Sequence, residues 1–478
     1  MSESVEQRLP IYVDLDGSLT HSDLLIESFL AFVKKHPLRM FLTPLWLLKG
    51  KAYLKMRLAA EVDIAVDLLP YNDALLEYLQ QQRDAGRDVF LATASNKKYA
   101  SQVAAHHKFF SGYIASDEKR NLSGSRKFEV IAQQVGEGGF SYVGNSRKDI
   151  PIWRHAREVL LVEGEPGLQK ELKRAKIAPA KVFTKPTKPS LYLRALRPHQ
   201  WAKNALIFLP AFAAHDFSAH TLTVSLAAFI AFSLCASSVY LLNDLLDLEV
   251  DRLHPRKKSR PFASGLVDMR YGLAMIPLLL LASFMVAASL AADFLYVLLI
   301  YYAATLSYSL GLKKFALVDV MLLSGLYTIR VVGGAMAADI PLSYWIMAFS
   351  MFIFISLALV KRCAELNTMR LMERSSVSGR GYMVSDLEYL HSMGIASGYL
   401  SVLVLALYIH SDEIRNLYHS PDVMFAVIPM IMYWVSRMWL KAGRGEMDDD
   451  PLVFSIKDRQ SQIVMVCIVA VTLLAATH

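Results

Sequence analysis

From Lys203 to the C-terminus the chain runs through nine apolar segments, at about 203–214, 221–243, 270–291, 293–310, 316–337, 343–361, 393–410, 421–440 and 461–477. Most approach or exceed the length needed to cross a hydrocarbon core. Backbone amides in lipid must be satisfied within the segment, so such runs read as helices. Residues 191–478 are therefore expected to form an all-α polytopic membrane domain with nine transmembrane helices. With Lys203 on the cytosolic side, the cytosolic loops hold the basic residues of 252–270, Lys313, Lys314 and those of 361–380 and 441–459. The opposite loops hold only Arg415 among Lys and Arg. That asymmetry predicts an integral inner (cytoplasmic) membrane protein. The chain is 54% hydrophobic yet 20% charged, which implies a soluble part beside the membrane part. A net charge of +8, carried in loops, suits a lipid surface and phosphate ligands rather than nucleic acid. Cys235, Cys363 and Cys467 form no spaced framework.

The second apolar segment closes on Asn243, Asp244, Asp247 and Asp251. Steps of three and four residues put the three carboxylates on one helix face. They repel one another unless a cation lies between them, and hard oxygen ligands suit Mg²⁺ holding a diphosphate. Pro255 stops the helix, and the basic run Arg256, Lys257, Lys258 and Arg260 offers a grip on an anion. The plainer alternative is a solvated acidic helix end beside a basic loop.

This Asn-Asp-x-x-Asp-x-x-x-Asp pattern resembles the first aspartate-rich motif of the UbiA superfamily of intramembrane prenyltransferases. Its extension from His254-Pro255 to Arg260-Pro261, and the run Arg197 to Asn204, resemble the decaprenyl-phosphate phosphoribosyltransferase branch. The resemblance covers about 191 to the C-terminus. It implies Mg²⁺, a polyprenyl phosphate and phosphoribosyl diphosphate as partners, with Asp244, Asp247 and Asp251 as catalytic metal ligands. Asp319 holds the place of the second aspartate-rich motif. Arg330 lies eleven residues on, about 16 Å along the same helix face. A charge that deep reads as functional, or else as a buried structural pair. Lys203, Asn243, Lys257, Arg260, Tyr308, Lys313, Asp319, Arg330, Lys361 and Arg362 are the candidate substrate-binding residues. The loops Gly379–Asp386 and Asp448–Pro451 either cover the pocket or are solvated.

At the other end, 9–13 reads as a short buried strand delivering Asp14-Leu15-Asp16-Gly17-Ser18. This resembles motif I of the haloacid dehalogenase (HAD) superfamily. Motif II is similar to 87–96, motif III to the run ending at Lys127, and motif IV to 140–149. The resemblance implies an α/β, Rossmannoid phosphatase. Asp14 would be the nucleophile and Asp16 the acid/base, with Thr93 and Lys127 on the phosphoryl group. Asp14, Asp16, Asn145 and Asp149 would hold Mg²⁺. Asn145 stands where the family has an acid, which weakens the metal site.

The domain boundaries read from sequence are 1–162 for the HAD-like domain, 163–190 for a basic, Pro-rich linker and 191–478 for the membrane domain. Residues 37–48 are apolar with basic flanks and too short to span. They form either an interfacial cap anchored by Trp46 or an ordinary helix on the core. Together the two motif sets predict phosphoribosyl transfer to a polyprenyl phosphate, followed by removal of the 5′-phosphate, for cell-envelope glycans. The alternatives are ordinary prenyl transfer to an aromatic acceptor, or a transporter or anchor with an inactive HAD domain.

Overall fold

The computed structural model describes residues 9–118, 120–185, 188–371, 380–412, 414, 418–447 and 450–477. Its contacts divide the chain into two compact units, Met1–Ala195 with Leu241–Ala274 and Leu196–Tyr240 with Met275–His478.

The first unit is built on strand β1 (Ile11–Val13), too short and too apolar to face water on either side. Ile11 and Val13 pack with Leu75, Leu79 and Val103, while Tyr12 points oppositely, to Phe140 and Trp153. A strand buried on both faces belongs inside a parallel sheet. Helix α1 (Leu24–Lys35) follows, its first turn capped by the Asp23 carboxylate, which accepts from the Leu25 and Ile26 amides. Helix α2 spans Lys51–Glu61 and strand β2 Val89–Asn96. Then come β3 (Gly112–Ser116), α3 (Ser125–Val135), β4 (Ser141–Gly144), β5 (Glu158–Val162) and β6 (Lys181–Phe183). The sheet is parallel throughout, in the order β3-β2-β1-β4-β5-β6. Its order reverses beside β1, the crevice where such sheets bind ligands.

The stretch read as a linker is largely built into this sheet. Leu168 and Leu172 of the helix Leu168–Arg174 are buried, and Phe183 anchors β6 at the sheet edge. Alternating lysines and prolines masked that apolar face. Pro186 lies outside the described residues, as do residues 1–8.

Residues 247–268, between the first two membrane segments, belong to this same unit. The Arg252 guanidinium donates to both Glu27 oxygens, at 3.1 and 2.6 Å, and to the Ala263 carbonyl at 3.0 Å. Both side chains are about nine-tenths or more buried. Lys34 pairs with Asp247 at 2.9 Å and Arg270 with Asp23 at 2.8 Å. Gly265 (φ +68°) approaches His21 and Pro70 so closely that a Cβ would overlap both. Removing one partner of a buried ion pair strands the other charge, so Arg252→Ala is expected to destabilise the unit by about 3–5 kcal/mol. A thermal melt or limited proteolysis reads this, and an unchanged midpoint would make the pair dispensable.

His21 and His107 set an acid limit on the same unit. Burial, and then the Lys185 charge, push His21 down to about 4; burial, and then His106, do the same to His107. Both stay neutral in the fold and take up protons on unfolding below their ordinary value of 6.5. Their share of the stability is therefore expected to fall as pH drops from about 6.5 toward 4, opposing the gain from the buried Asp14 and Asp16 carboxyls, which take up protons in the same range. Melting curves of the chain and of a His21→Gln, His107→Gln variant isolate it: the variant should gain on the parent as pH falls, and a constant difference between the two refutes it.

Eight helices among the described residues are long and apolar enough to cross a membrane. The first is α4 (Ala219–Leu246), which a short helix α5 (Leu248–Leu253) follows outside the span. The others are α6 (Met269–Ala288), α7 (Ala292–Leu310), α8 (Val318–Ala338), α9 (Tyr344–Leu371), α10 (Leu387–Ile409), α11 (Val427–Gly443) and α12 (Arg459–Thr477). The ninth expected segment, 203–214, is instead a 3₁₀ stretch, Pro198–Phe208, and a five-residue helix, Leu209–Ala213. Pro198 and Pro210 remove amide donors, and buried Lys203 and Asn204 turn this segment to polar partners. In the second unit, Phe232, Phe294 and Tyr301 centre one apolar core, and Tyr327, Phe354, Trp434 and Trp439 another. A Cβ on Gly334 of α8 would overlap the Ile207 backbone, so that helix can lie directly on the 3₁₀ stretch.

Candidate functional site

In the first unit the chain leaves β1 at Asp14 and turns sharply at Gly17 (φ +78°), which lies against the Asn145 amide. Asp14 accepts from Lys127 Nζ at 2.7 Å, and Lys127 also donates to the Tyr142 hydroxyl at 2.9 Å. Asp149 accepts from Tyr142 at 3.0 Å and from the Asn145 and Ser146 amides at 3.1 and 3.0 Å. Asp16 accepts from the Leu24 amide at 2.8 Å and the Ser95 hydroxyl at 2.6 Å. Burial pushes the Asp14 carboxyl up to about 6; the Lys127 charge opposes this and the Asp149 charge adds to it. Burial, then the charges of Asp23 and Asp14, push Asp16 up to about 7. Burial works against the Lys127 ammonium, but Asp14 and Asp149 hold its pKa above the ordinary lysine value. Acids thus outnumber the one buried ammonium among them.

These groups open onto a cleft of about 1110 Å³. Asp14, Asp16, Lys127, Asn145 and Asp149 all line it. Thr93 does not: it is fully buried, and its hydroxyl accepts from the Ser95 amide. Regular alternation would put Thr93 and Ser95 on one face; the register shift of β2 between Ala92 and Asn96 parts them and leaves Ser95 on the cleft where Thr93 was expected. Lys51, Lys55, Lys148, Lys170, Lys185 and Arg270 also face the cleft, and so do Asp23, Glu163, Glu165 and Asp268, so its walls carry both signs of charge. Lys55 escaped the sequence reading because only folding brings α2 over the sheet. Its ammonium donates to the Ala94 carbonyl and, at 2.9 Å, to Asn121.

The acidic helix end differs from the single face expected. Helix α4 stops at Leu246, and Asp247 (φ −103°, ψ 17°) sits at the break before α5. Asp244 and Asp251, both buried, converge on one nitrogen of Arg260, at 3.2 and 2.6 Å. The break lets Asp247 pair with Lys34. Asn243 precedes Asp244 within α4, and Lys257 opens a short 3₁₀ turn whose carbonyl accepts from the Arg260 amide. Among the described residues no three His, Cys, Asp or Glu side chains gather as a metal cluster. The expected sets Asp14, Asp16, Asn145 and Asp149, and Asp244, Asp247 and Asp251, are therefore not drawn into three-acid clusters: Lys127 and Arg260 stand among them. Both sets still offer only oxygen donors and more acids than cations, the chemistry that suits a hard dication.

In the second unit Asp319 is fully buried. It pairs with Arg362 at 2.6 Å and Arg380 at 3.3 Å and accepts from the Tyr382 hydroxyl. Arg362 and Arg380 also donate to the Tyr308 hydroxyl, at 3.1 and 3.3 Å, and both pair with Glu365. Arg330 has separate partners. It donates to Asn204 at 2.7 Å and Tyr301 at 2.9 Å, and it lies over the Tyr301 ring. Sharing a helix face with Asp319 thus leaves each with partners from other segments. Lys203 pairs with Asp450 at 2.5 Å and Lys361 with the same carboxylate at 3.4 Å. Burial opposes that charge, but Lys203 and Lys361 hold the Asp450 carboxyl below the usual range. Lys313, half-buried, lies in the short turn Leu312–Lys314 between α7 and α8. Gly379, Asp448, Asp449 and Arg415 lie outside the described residues. Glu365, Arg380, Asn204 and Tyr301 complete these networks through contacts that sequence spacing does not reveal.

Residues 205–441 match the UbiA prenyltransferase family. The chain is 33% identical to "Decaprenyl-phosphate phosphoribosyltransferase" of Mycolicibacterium smegmatis, over 57% of this chain and 88% of that one. It is 34% identical to "Nodulation protein NoeC" of Azorhizobium caulinodans, over 59% of this chain and 91% of that one. It is also 34% identical to "Uncharacterized protein y4nM" of Sinorhizobium fredii, over 96% of this chain and 89% of that one. This last similarity spans both units.

Proposed function

Because the chain belongs to the UbiA prenyltransferase family, we propose that it transfers 5-phosphoribose from phosphoribosyl diphosphate to a polyprenyl phosphate, releasing pyrophosphate. The observation that carries this reading is the similarity to decaprenyl-phosphate phosphoribosyltransferases along most of their length. Asp244, Asp247 and Asp251 would hold Mg²⁺ on the donor diphosphate. The ion, when bound, supplies positive charge against the pyrophosphate as it departs. Arg260 and Lys257 would take up diphosphate oxygens, and Arg260 would keep Asp244 and Asp251 oriented. A phosphate oxygen of the polyprenyl phosphate attacks the ribose C1 as the bond to pyrophosphate breaks. Lys203, Lys361 and Arg362 would be the second unit's cations for phosphate groups; Lys203 and Arg362 are buried, where charge is costly and usually functional.

The first unit, residues 1–162 at its core, acts in this reading as a HAD-type phosphatase on the transfer product. Asp14 attacks the 5′-phosphorus and forms an aspartyl phosphate, while Asp16, its carboxyl held near neutral, protonates the departing ribose oxygen. Water then releases phosphate. Lys127 neutralises the phosphorylated carboxylate, and Asn145 and Asp149 would complete a Mg²⁺ site with Asp14. Lys55, Lys127 and Lys148 on the cleft wall offer ammonium groups to a phosphorylated ligand. The end product would be polyprenyl-phosphoryl ribose, a pentose donor for envelope glycans, made on the cytosolic face.

The test is to incubate the purified protein with Mg²⁺, phosphoribosyl diphosphate and a polyprenyl phosphate. Pyrophosphate and lipid-linked ribose are expected. If neither forms, while a prenyl diphosphate reacts with an aromatic acid, the chain is an ordinary prenyltransferase.

A further inference from the structure

Residues 37–48 have no part in either site. They form two consecutive helical pieces, Pro37–Leu42 and Thr43–Leu48, that follow α1 directly. Leu38 is 85% exposed, Phe41 71%, Leu45 56% and Leu48 84%. Trp46, the expected anchor, is instead buried: it packs at a tilt against Phe32, and Arg57 lies over its ring. It fastens the element to the unit, and the aliphatic residues and Phe41 face outward. A contiguous apolar patch of this kind marks a surface that meets something.

Two observations identify the occupant. The patch is bordered by Lys34, Lys35, Arg39, Lys49 and Lys51, and no Asp or Glu occurs from residue 28 to 60; Lys34 is paired with Asp247 and Arg39 with Glu61, so the basic excess is carried by Lys35, Lys49 and Lys51. That charge pattern complements an anionic lipid surface. The same α1 that leads into the patch also holds the ends of two membrane helices. Glu27 grips Arg252 just beyond α4, Lys34 pairs with Asp247 at its end, and Asp23, the cap of α1, pairs with Arg270 at the start of α6. Lys34 is three residues from Pro37, so the patch continues from an element already tied to the membrane boundary.

We propose that residues 37–48 insert into the headgroup–acyl boundary of an anionic phospholipid bilayer and seat the α/β unit on the membrane that its neighbouring helices enter. The seat is independent of any catalytic reading. Helix α2, which follows the patch, carries Lys51 and Lys55 into the cleft, so the same cap would present cleft cations at the lipid surface.

The test uses the full chain with Cys467→Ser, leaving only the buried Cys235 and Cys363. Leu48→Cys carries an environment-sensitive fluorophore. The protein is reconstituted in phosphatidylcholine–phosphatidylglycerol vesicles containing nitroxide-labelled acyl chains. Quenching of roughly half or more of the signal is expected at 48, against little at a Gln80→Cys label on an exposed helix position. Leu38→Cys provides a second site should the first variant misfold. Quenching at 48 and 38 no greater than at 80 would overturn the proposal. So would protection of the label that grows with protein density, since a second copy would then cover the patch.

Discussion

Asp244→Asn is expected to slow pyrophosphate release from phosphoribosyl diphosphate by about 10²–10³-fold, the usual loss when one fixed charge is removed from a developing anion. Asp244 is 2% exposed and shares one guanidinium nitrogen of Arg260 with Asp251. Asparagine keeps the shape and an oxygen for Arg260 but removes the charge. Two acids on one cation become one, and the excess that suits a dication is gone. The melting temperature is expected to move little, because Arg260 keeps Asp251. A Mg²⁺ titration of initial rates, alongside a melt, separates the two effects. Near-normal turnover in the variant would demote the acids to a clamp for Arg260, as a transporter or anchor would have it.

Asp14→Asn is expected to lower release of the 5′-phosphate by at least about 10³-fold while transfer proceeds at its ordinary rate, since an amide cannot act as the nucleophile. Lipid-linked ribose should accumulate with its 5′-phosphate attached, a mass difference that spectrometry of the extracted lipid resolves. Lys127 is 3% exposed and loses the Asp14 charge in this variant, so a melt must accompany the assay. A parallel Asp16→Asn, which leaves the Lys127–Asp14 pair in place, should also lose phosphate release. A variant lipid without the extra phosphate would detach the first unit from the transfer product.

Much of the fold could be read along the chain because its signals are local. A bilayer dictates segment length, so five of the eight long helices start and end within a few residues of the expected spans; α10 starts six residues early, α11 six late, and α9 runs on to Leu371. The short apolar run ending at Asp14 is likewise a local pattern. Misreadings arose where folding brings distant residues together. The Lys- and Pro-rich stretch hid β6, because Leu168, Leu172 and Phe183 are widely spaced among charges. Residues 203–214 passed for a membrane segment because apolar content does not show that Lys203 and Asn204 have buried partners elsewhere. Ser95 rather than Thr93 faces the cleft because an irregularity of β2 between Ala92 and Asn96, which residue type does not reveal, decides which hydroxyl turns out. Lys55 and Glu365 belong to networks no spacing rule connects. Trp46 looked like an anchor for lipid because composition alone does not tell which side of a short helix faces inward.

The Glu27–Arg252 pair has a practical consequence for anyone dissecting the protein. A soluble fragment cut after residue 195 would discard Arg252, Gly265 and Arg270 and uncover Glu27, His21 and Pro70 together. Such a piece would be a domain missing its own floor, prone to clump or unravel. An excision that keeps 241–274, rejoined by a short connector, is the smaller module that respects how the polypeptide is folded.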